Sequence, residues 1–254
     1  GVLSEISCVK GEDVNIDEYE SRCIPPQSFR IMYRAYDDML VRKHLIDFDD
    51  MIVQCRELLM QREDYRRAWQ NKYKYILIDE FQDINKAQFD VVRILADEYR
   101  NLFVVGDDDQ SIYRFRGASI GNILGFSKIY ETCHTCKLDT NYRSHPGIVG
   151  FCIAWMKRQT KWRGPDGRFY RYVKGEIKAA SAEKGTPVLR VTGRSRTECY
   201  TRVADFIEGL KKRGQISDYN QVAVLCSSVK NPNSLVLQSQ LSRRGISSYA
   251  PRAG

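Results

Sequence analysis

The chain has 254 residues, 43% of them hydrophobic and 28% charged, a balance that fits one large globular domain or two small ones. No apolar run approaches the roughly 18 residues a membrane helix needs and no secretory leader opens the chain, so a cytoplasmic chain with no membrane partner is expected. The net charge of +8 is uneven: residues 1–140 hold 19 Lys and Arg against 25 Asp and Glu, whereas 141–254 hold 21 against 7, a surplus that suits either nucleic acid or a merely soluble basic face.

Residues 1–27 are acidic and read as irregular, ending at Pro25-Pro26. Ile31, Ala35 and Met39, with Met32, Tyr36 and Leu40, then repeat at helical spacing. A second helix is expected to start near Asp47 or Asp49, with Met51, Ile52, Cys55, Leu58 and Leu59 as its buried stripe. Tyr75–Ile78 is a short apolar run, predicted to be a strand buried on both faces. A helix follows with Phe89, Val92, Leu95 and Tyr99 along one side, then a second apolar strand over Leu102–Val105. Strand, helix and strand within about 30 residues predict a βαβ unit.

A further strand is expected near Cys136–Leu138, then a helix capped by Ser144 with Pro146 in its first turn. Residues 157–186 are basic and aromatic with weak periodicity, and read as a long surface connection. Beyond them, strands are predicted at Val188–Val191, Val222–Cys226 and Ile246–Tyr249, with helices over 196–212 and 233–244. The eight cysteines include one close pair, Cys133 and Cys136; a structural zinc site needs a second such knuckle, so a reduced chain is expected.

Three segments carry chemistry. Asp79 and Glu80 stand where a predicted strand ends, the edge at which open α/β sheets bind ligands. Asp79 suits Mg²⁺, which takes one or two carboxylates together with substrate phosphates; Glu80 suits the orientation or deprotonation of a water. A charged loop after a strand is the plainer alternative. Gly106-Asp107-Asp108-Asp109-Gln110 repeats the placement on the next strand, and the amide of Gln110 could bond a phosphate oxygen. The alternating Tyr113, Arg114, Phe115 and Arg116 suit single-stranded nucleic acid, rings for bases and guanidinium groups for phosphates, or simply a core. Tyr142-Arg143 before a helix start suits a nucleotide, base on the ring and phosphate on the guanidinium; a capping turn with a surface Arg is the alternative.

Taken in order, Asp-Glu-Phe-Gln-Asp, the Gly106–Ala118 run and Asn-Tyr-Arg-Ser closely resemble motifs II, III and IV of the UvrD/Rep/PcrA helicases of superfamily 1A. Leu45–Met51 is similar to the stretch where that family's chain re-enters its first motor domain. The resemblance implies an α/β fold: parts of two RecA-like parallel-sheet domains of the P-loop NTPase type, plus helices of the first domain's insertion. It places the insertion tail in residues 1–44, the first motor domain in 45–139 and the second in 140–254. It further implies ATP and Mg²⁺ as cofactors of the parent protein. By the same resemblance, Asp79 is expected as the Mg²⁺ ligand, Glu80 as the catalytic base and Gln110 as the γ-phosphate sensor. Tyr142 is placed on the adenine, and Arg143 on the γ-phosphate across a cleft. Tyr113, Phe115 and Arg116 are placed on single-stranded or partial-duplex DNA. The family more often has Trp where Phe115 stands, which leaves a smaller stacking face. The later aromatics Trp155, Trp162, Phe169, Tyr170 and Tyr172 lack that warrant, and a solvated face with buried rings is favoured there.

The chain contains no Gly-x-x-x-x-Gly-Lys-Ser/Thr loop and no Gly-Lys dipeptide. That loop supplies the phosphate cradle, the lysine and the hydroxyl for Mg²⁺. With Gly1 in place of Met, the chain reads as an internal piece of such a motor, expected to be inactive alone and prone to self-association through an exposed sheet edge. A helicase–nuclease of the RecB or AddA type and a non-hydrolysing DNA-binding module are the alternatives.

Overall fold

The structure, a computed structural model, describes residues 1–111, 119–158, 176–184, 188–226 and 228–250. They form two compact units: Gly1–Arg143 with Cys152–Ala180, and Ser144–Phe151 with Ser181–Gly254.

The first unit opens with four helices: α1 (Val2–Glu12), α2 (Pro26–Arg42), α3 (Phe48–Gln61) and α4 (Glu63–Lys72). The expectation of an irregular acidic start is corrected by α1. Its apolar residues Ile6 and Val9 are buried against Phe29 of α2, with Tyr19 and Tyr33 around that ring. Pro25 and Pro26 stand at the start of α2, where a missing backbone N–H costs nothing. The N-cap of α3 is Asp47, in a reciprocal capping box with Asp50. The predicted stripe of α3 is also corrected. Leu59 is buried, but so is Arg56, while Met51, Cys55 and Leu58 are exposed. α4 had no forecast, because its Glu-Asp-Tyr-Arg-Arg run offers no apolar periodicity.

The βαβ unit is present as β1 (Ile76–Ile78), α5 (Lys86–Ala96) and β2 (Leu102–Val104). β1 and β2 pair in parallel, Ile76 beside Leu102 and Ile78 beside Val104. Among the described residues the sheet is covered on one face only, contrary to the both-faces expectation. Ile78 and Val104 pack on the core of Phe81, Phe89 and Ile123, the last from α6 (Ile120–Ile129). Their alternate neighbours Leu77 and Phe103 remain 74% and 60% exposed, the period-2 alternation of a strand. Phe81 sits edge-on to Phe89 and Phe126, at ring distances of 5.1 and 5.5 Å, each contact worth about 0.5–1.5 kcal/mol beyond burial.

No ladder forms at Cys136–Leu138; a short strand β3 (Thr140–Asn141) pairs in parallel with β4 (Lys178–Ala179) instead. The next helix, α7, is Pro146–Lys157. It starts one residue too late for Ser144 to be its cap: the preceding residue is His145, whose ring Nδ1 accepts the Gly147 N–H at 3.0 Å.

In the second unit, α8 (Arg196–Lys212) and α9 (Pro232–Ser242) match the forecast closely. They bury Ala204, Ile207, Leu237 and Leu241 together with Ile246. The strands forecast at Val188–Val191, Val222–Cys226 and Ile246–Tyr249 form no ladder among the described residues. A strand is defined by a hydrogen-bonded neighbour, which a local apolar run does not provide.

Candidate functional site

The first unit places Asp79 and Glu80 at the carboxyl end of β1, and the Asp107–Gln110 segment just beyond β2. Parallel pairing in register brings the two ends side by side. The pairing runs past the strands: Val105 N–H donates to Ile78 O at 2.8 Å, and Phe81 N–H donates to Val105 O at 2.9 Å. For Phe81 to turn back in this way, Glu80 adopts the left-handed conformation, φ 50° and ψ 41°. This costs a non-glycine residue roughly 1–2 kcal/mol. Burial of the Phe81 ring at 0% exposure holds the turn closed.

Both carboxylates are exposed. Asp79 Oδ1 accepts the Glu80 N–H at 2.9 Å, which fixes the first side chain against the turn. Gln82 lies beneath them at 1% exposure. Its Nε2 donates to Glu80 Oε2 at 2.6 Å and its Oε1 accepts the Asp107 N–H at 2.9 Å. Asp107 in turn caps the short 3-10 turn Asp108–Gln110 by accepting the Asp109 N–H, and its Oδ2 accepts from Gln110 Nε2 at 2.8 Å. Gly106 makes room for this. A Cβ there would stand 2.7 Å from Gln82 Oε1 and 3.0 Å from Ile123 Cδ1. Burial, then the nearby charge of Glu80, pushes the Asp83 carboxyl above its usual range.

The structure therefore brings Asp79, Glu80 and Gln110 together. Sequence reasoning gave no role to Gln82, Asp107 or Gly106. An amide two residues from a carboxylate is the available signal in the sequence. Tyr142 and Arg143 follow β3 directly and are both exposed, Tyr142 at 83%; Arg143 N–H donates to Asn141 Oδ1 at 3.0 Å. Tyr113, Phe115 and Arg116 lie outside the described residues, as do Trp162, Phe169, Tyr170 and Tyr172. Trp155, on α7, is 59% exposed rather than buried.

The donor set fits Mg²⁺ held partly by phosphates. Asp79 offers hard carboxylate oxygens, and the described residues contain no cluster of three or more ligating side chains that would enclose an ion by itself. None of the eight cysteines, all of them among the described residues, forms a disulfide. A groove of about 530 Å³, lined by Arg56, Arg93, Arg100 and Tyr130 among others, shares no residue with the strand-end cluster. No helix among the described residues is long and apolar enough to cross a membrane.

Comparison with known proteins identifies the family. Residues 4–131 match the UvrD/REP helicase N-terminal domain and residues 136–250 the UvrD-like helicase C-terminal domain. The chain is 41% identical over 150 residues to the ATP-dependent DNA helicase PcrA of Staphylococcus aureus, an alignment covering 59% of this chain and 20% of the relative. The PcrA of Staphylococcus epidermidis is 41% identical over 141 residues, covering 56% and 19%. The matched region thus spans about a fifth of these relatives' own length. Mixed helices and parallel strands, with two adjoining domain matches, make this an α/β chain of the RecA-like type that belongs to the UvrD-like helicase family.

Proposed function

We propose that this chain supplies part of the motor of an ATP-dependent DNA helicase that moves 3′ to 5′ along single-stranded DNA. The observation that carries the proposal is the hydrogen-bonded unit of Glu80, Gln82, Asp107 and Gln110 at two adjacent parallel strand ends. It sets a carboxylate and an amide together where open sheets receive phosphates. Bound Mg²⁺ supplies charge neutralisation at the transferring phosphoryl group. Asp79 holds the ion, Glu80 accepts the proton of the attacking water, and Gln110 contacts the γ-phosphate. Tyr142 stacks on the adenine and Arg143 meets the γ-phosphate. Tyr113, Phe115 and Arg116 meet the DNA. Residues 1–44 belong to the helical insertion, 45–139 to the first motor domain and 140–254 to the second.

The chain by itself is expected to be inactive, because it has no Gly-Lys loop to grip the phosphates and phosphoryl transfer depends almost wholly on positioning and charge. The test compares wild type with Glu80→Gln, both in this chain and in a longer protein that adds the phosphate-gripping loop. In the longer protein the substitution should lower DNA-stimulated hydrolysis by at least about 10²-fold, the scale of a lost general base. In this chain the two should be equal. Undiminished hydrolysis by the longer Glu80→Gln protein would remove the basis of the motor assignment.

A further inference from the structure

We infer that Gln82 is a positioning residue: it holds the Glu80 carboxylate and ties it to the turn that carries Gln110, so that base and phosphate sensor move as one unit. The inference rests on the motor reading above for the roles of Glu80 and Gln110, but the contact itself does not.

The orientation of the Gln82 amide follows from its partners. The Asp107 N–H can only donate, so it must meet the amide oxygen; an ionised Glu80 carboxylate can only accept, so it must meet the amide nitrogen. A primary amide offers both functions whatever its surroundings, because it carries no titratable proton. The bond to Glu80 is short at 2.6 Å, as expected where the acceptor carries charge. It ties Oε2 only; Oε1 has no hydrogen bond among the described residues and stays available on the exposed side. Glu80 otherwise has an exposed, freely rotating side chain on a left-handed residue. Gln82, by contrast, is enclosed beneath the turn, with Gly106 leaving space that any Cβ would fill. From Gln82 the chain of bonds continues through the Asp107 backbone and carboxylate to Gln110 Nε2. Removing the middle residue breaks this side-chain link, while the backbone bonds between the strand ends remain, and alters neither functional group.

Two variants dissect the contact. Gln82→Glu keeps an acceptor for the Asp107 N–H but replaces the donor facing Glu80 by a carboxylate; Gln82→Leu removes both bonds. In the longer, hydrolysing protein, both should lower kcat at least tenfold while KM for ATP changes less than twofold, since the base is needed only for the chemical step. In the 254-residue chain, hydrogen exchange of the Asp107 amide should quicken at least tenfold in Gln82→Leu and stay within threefold of wild type in Gln82→Glu. Should either variant unfold, wild type and Glu80→Ala suffice: one Gln82 side-chain amide proton should resonate downfield and exchange slowly in wild type, and lose both properties when the Glu80 acceptor is removed. A kcat within twofold of wild type in folded Gln82→Glu, or a KM rise with unchanged kcat, overturns the positioning role. Loss of the downfield amide signal in neither protein, or its absence in both, overturns the contact. If Glu80→Gln itself hydrolyses normally while the amide signal behaves as expected, the motor reading fails and the contact stands.

Discussion

At residue 106 a single hydrogen in place of a methyl decides whether the strand ends can close. The Gly106 Cα faces Gln82 and Ile123 so tightly that an alanine methyl would sit 2.7 Å from the Gln82 amide oxygen and 3.2 Å from its backbone nitrogen. Gln82 is enclosed and bonded at both ends, so it cannot swing away cheaply. Gly106→Ala should therefore destabilise the first unit by about 1–3 kcal/mol, the range for overpacking, and should also expose the Asp107 N–H. Chemical denaturation with amide exchange checks both, and a variant as stable as wild type with Asp107 still protected would contradict the tight packing. Little of this was legible beforehand. The pair Asp79–Glu80 is visible because charge stands out after an apolar strand. Gln82 joins Glu80, two residues back, to Asp107, 25 residues on, and no local pattern bridges the second separation.

Among the elements, three helices are tied by one buried cation. Lys10 of α1 has a side chain only 5% exposed and reaches Asp37 of α2, Asp47 at the cap of α3 and Asp50 in its first turn, at 3.0, 3.0 and 2.6 Å. Burial alone would lower the Lys10 pKa; its hydrogen bonds to Asp50, Asp37 and Asp47 outweigh this and raise it. Lys10→Met would leave Asp47 and Asp50 partly buried without a counter-charge, and should cost about 3–5 kcal/mol; a loss below about 1 kcal/mol, measured by denaturant, would show the network to be incidental. The pH dependence follows from the carboxylates. The Arg56 guanidinium first, and Lys86 with it, hold Asp13 below its usual range. Burial raises Glu5 and Asp47, but hydrogen bonds from Ser21 and Arg22, and from Asp50 N–H, Lys10 and Tyr36, bring both down. A depressed folded-state pKa contributes stability above the unfolded value, near 4, that is lost as pH falls through the folded value. Asp83, raised, acts in the opposite sense. With these three groups, and the exposed Asp64 that Arg62 holds down, against one, the denaturation midpoint should fall below about pH 4. A midpoint that rises there would refute the assignment. The βαβ unit and α2, α8 and α9 were legible from local composition and length, although Ile31, Met32 and Met39 of the α2 repeat prove exposed and its buried residues are Phe29 and Leu40. α1 and α4 were hidden because their stability comes from neighbours, the first from the Lys10 cluster and the Phe29 core. The unladdered segments of the second unit show the converse: β-branched composition specifies an extended run, not a partner.

On the scale of the whole chain two surface properties stand out, an open apolar face and a lopsided charge. Leu77 and Phe103 lie on the uncovered side of β1 and β2; burying such a face is worth roughly 25 cal/mol per Å². The chain should therefore self-associate as concentration rises, and Leu77→Lys with Phe103→Lys should weaken this; sedimentation showing one unchanging monomer up to high concentration would oppose it. Charge makes a separate demand. Residues 141–254 carry a net +14 against −6 in residues 1–140, so the chain should bind single-stranded DNA chiefly through its second part. Each phosphate neutralised contributes about −0.7 to the slope of log affinity against log salt, and binding should weaken steeply between about 50 and 200 mM salt. Charge alone would treat any polyanion alike, whereas stacking on an exposed ring such as Trp155 adds a salt-insensitive share that heparin cannot use. Fluorescence titrations should thus give parallel salt slopes for oligothymidine and heparin fragments of matched charge, with the oligothymidine line lying above. Coincident lines would reduce the basic half to a nonspecific surface, and a flat oligothymidine line would remove the electrostatic argument for DNA.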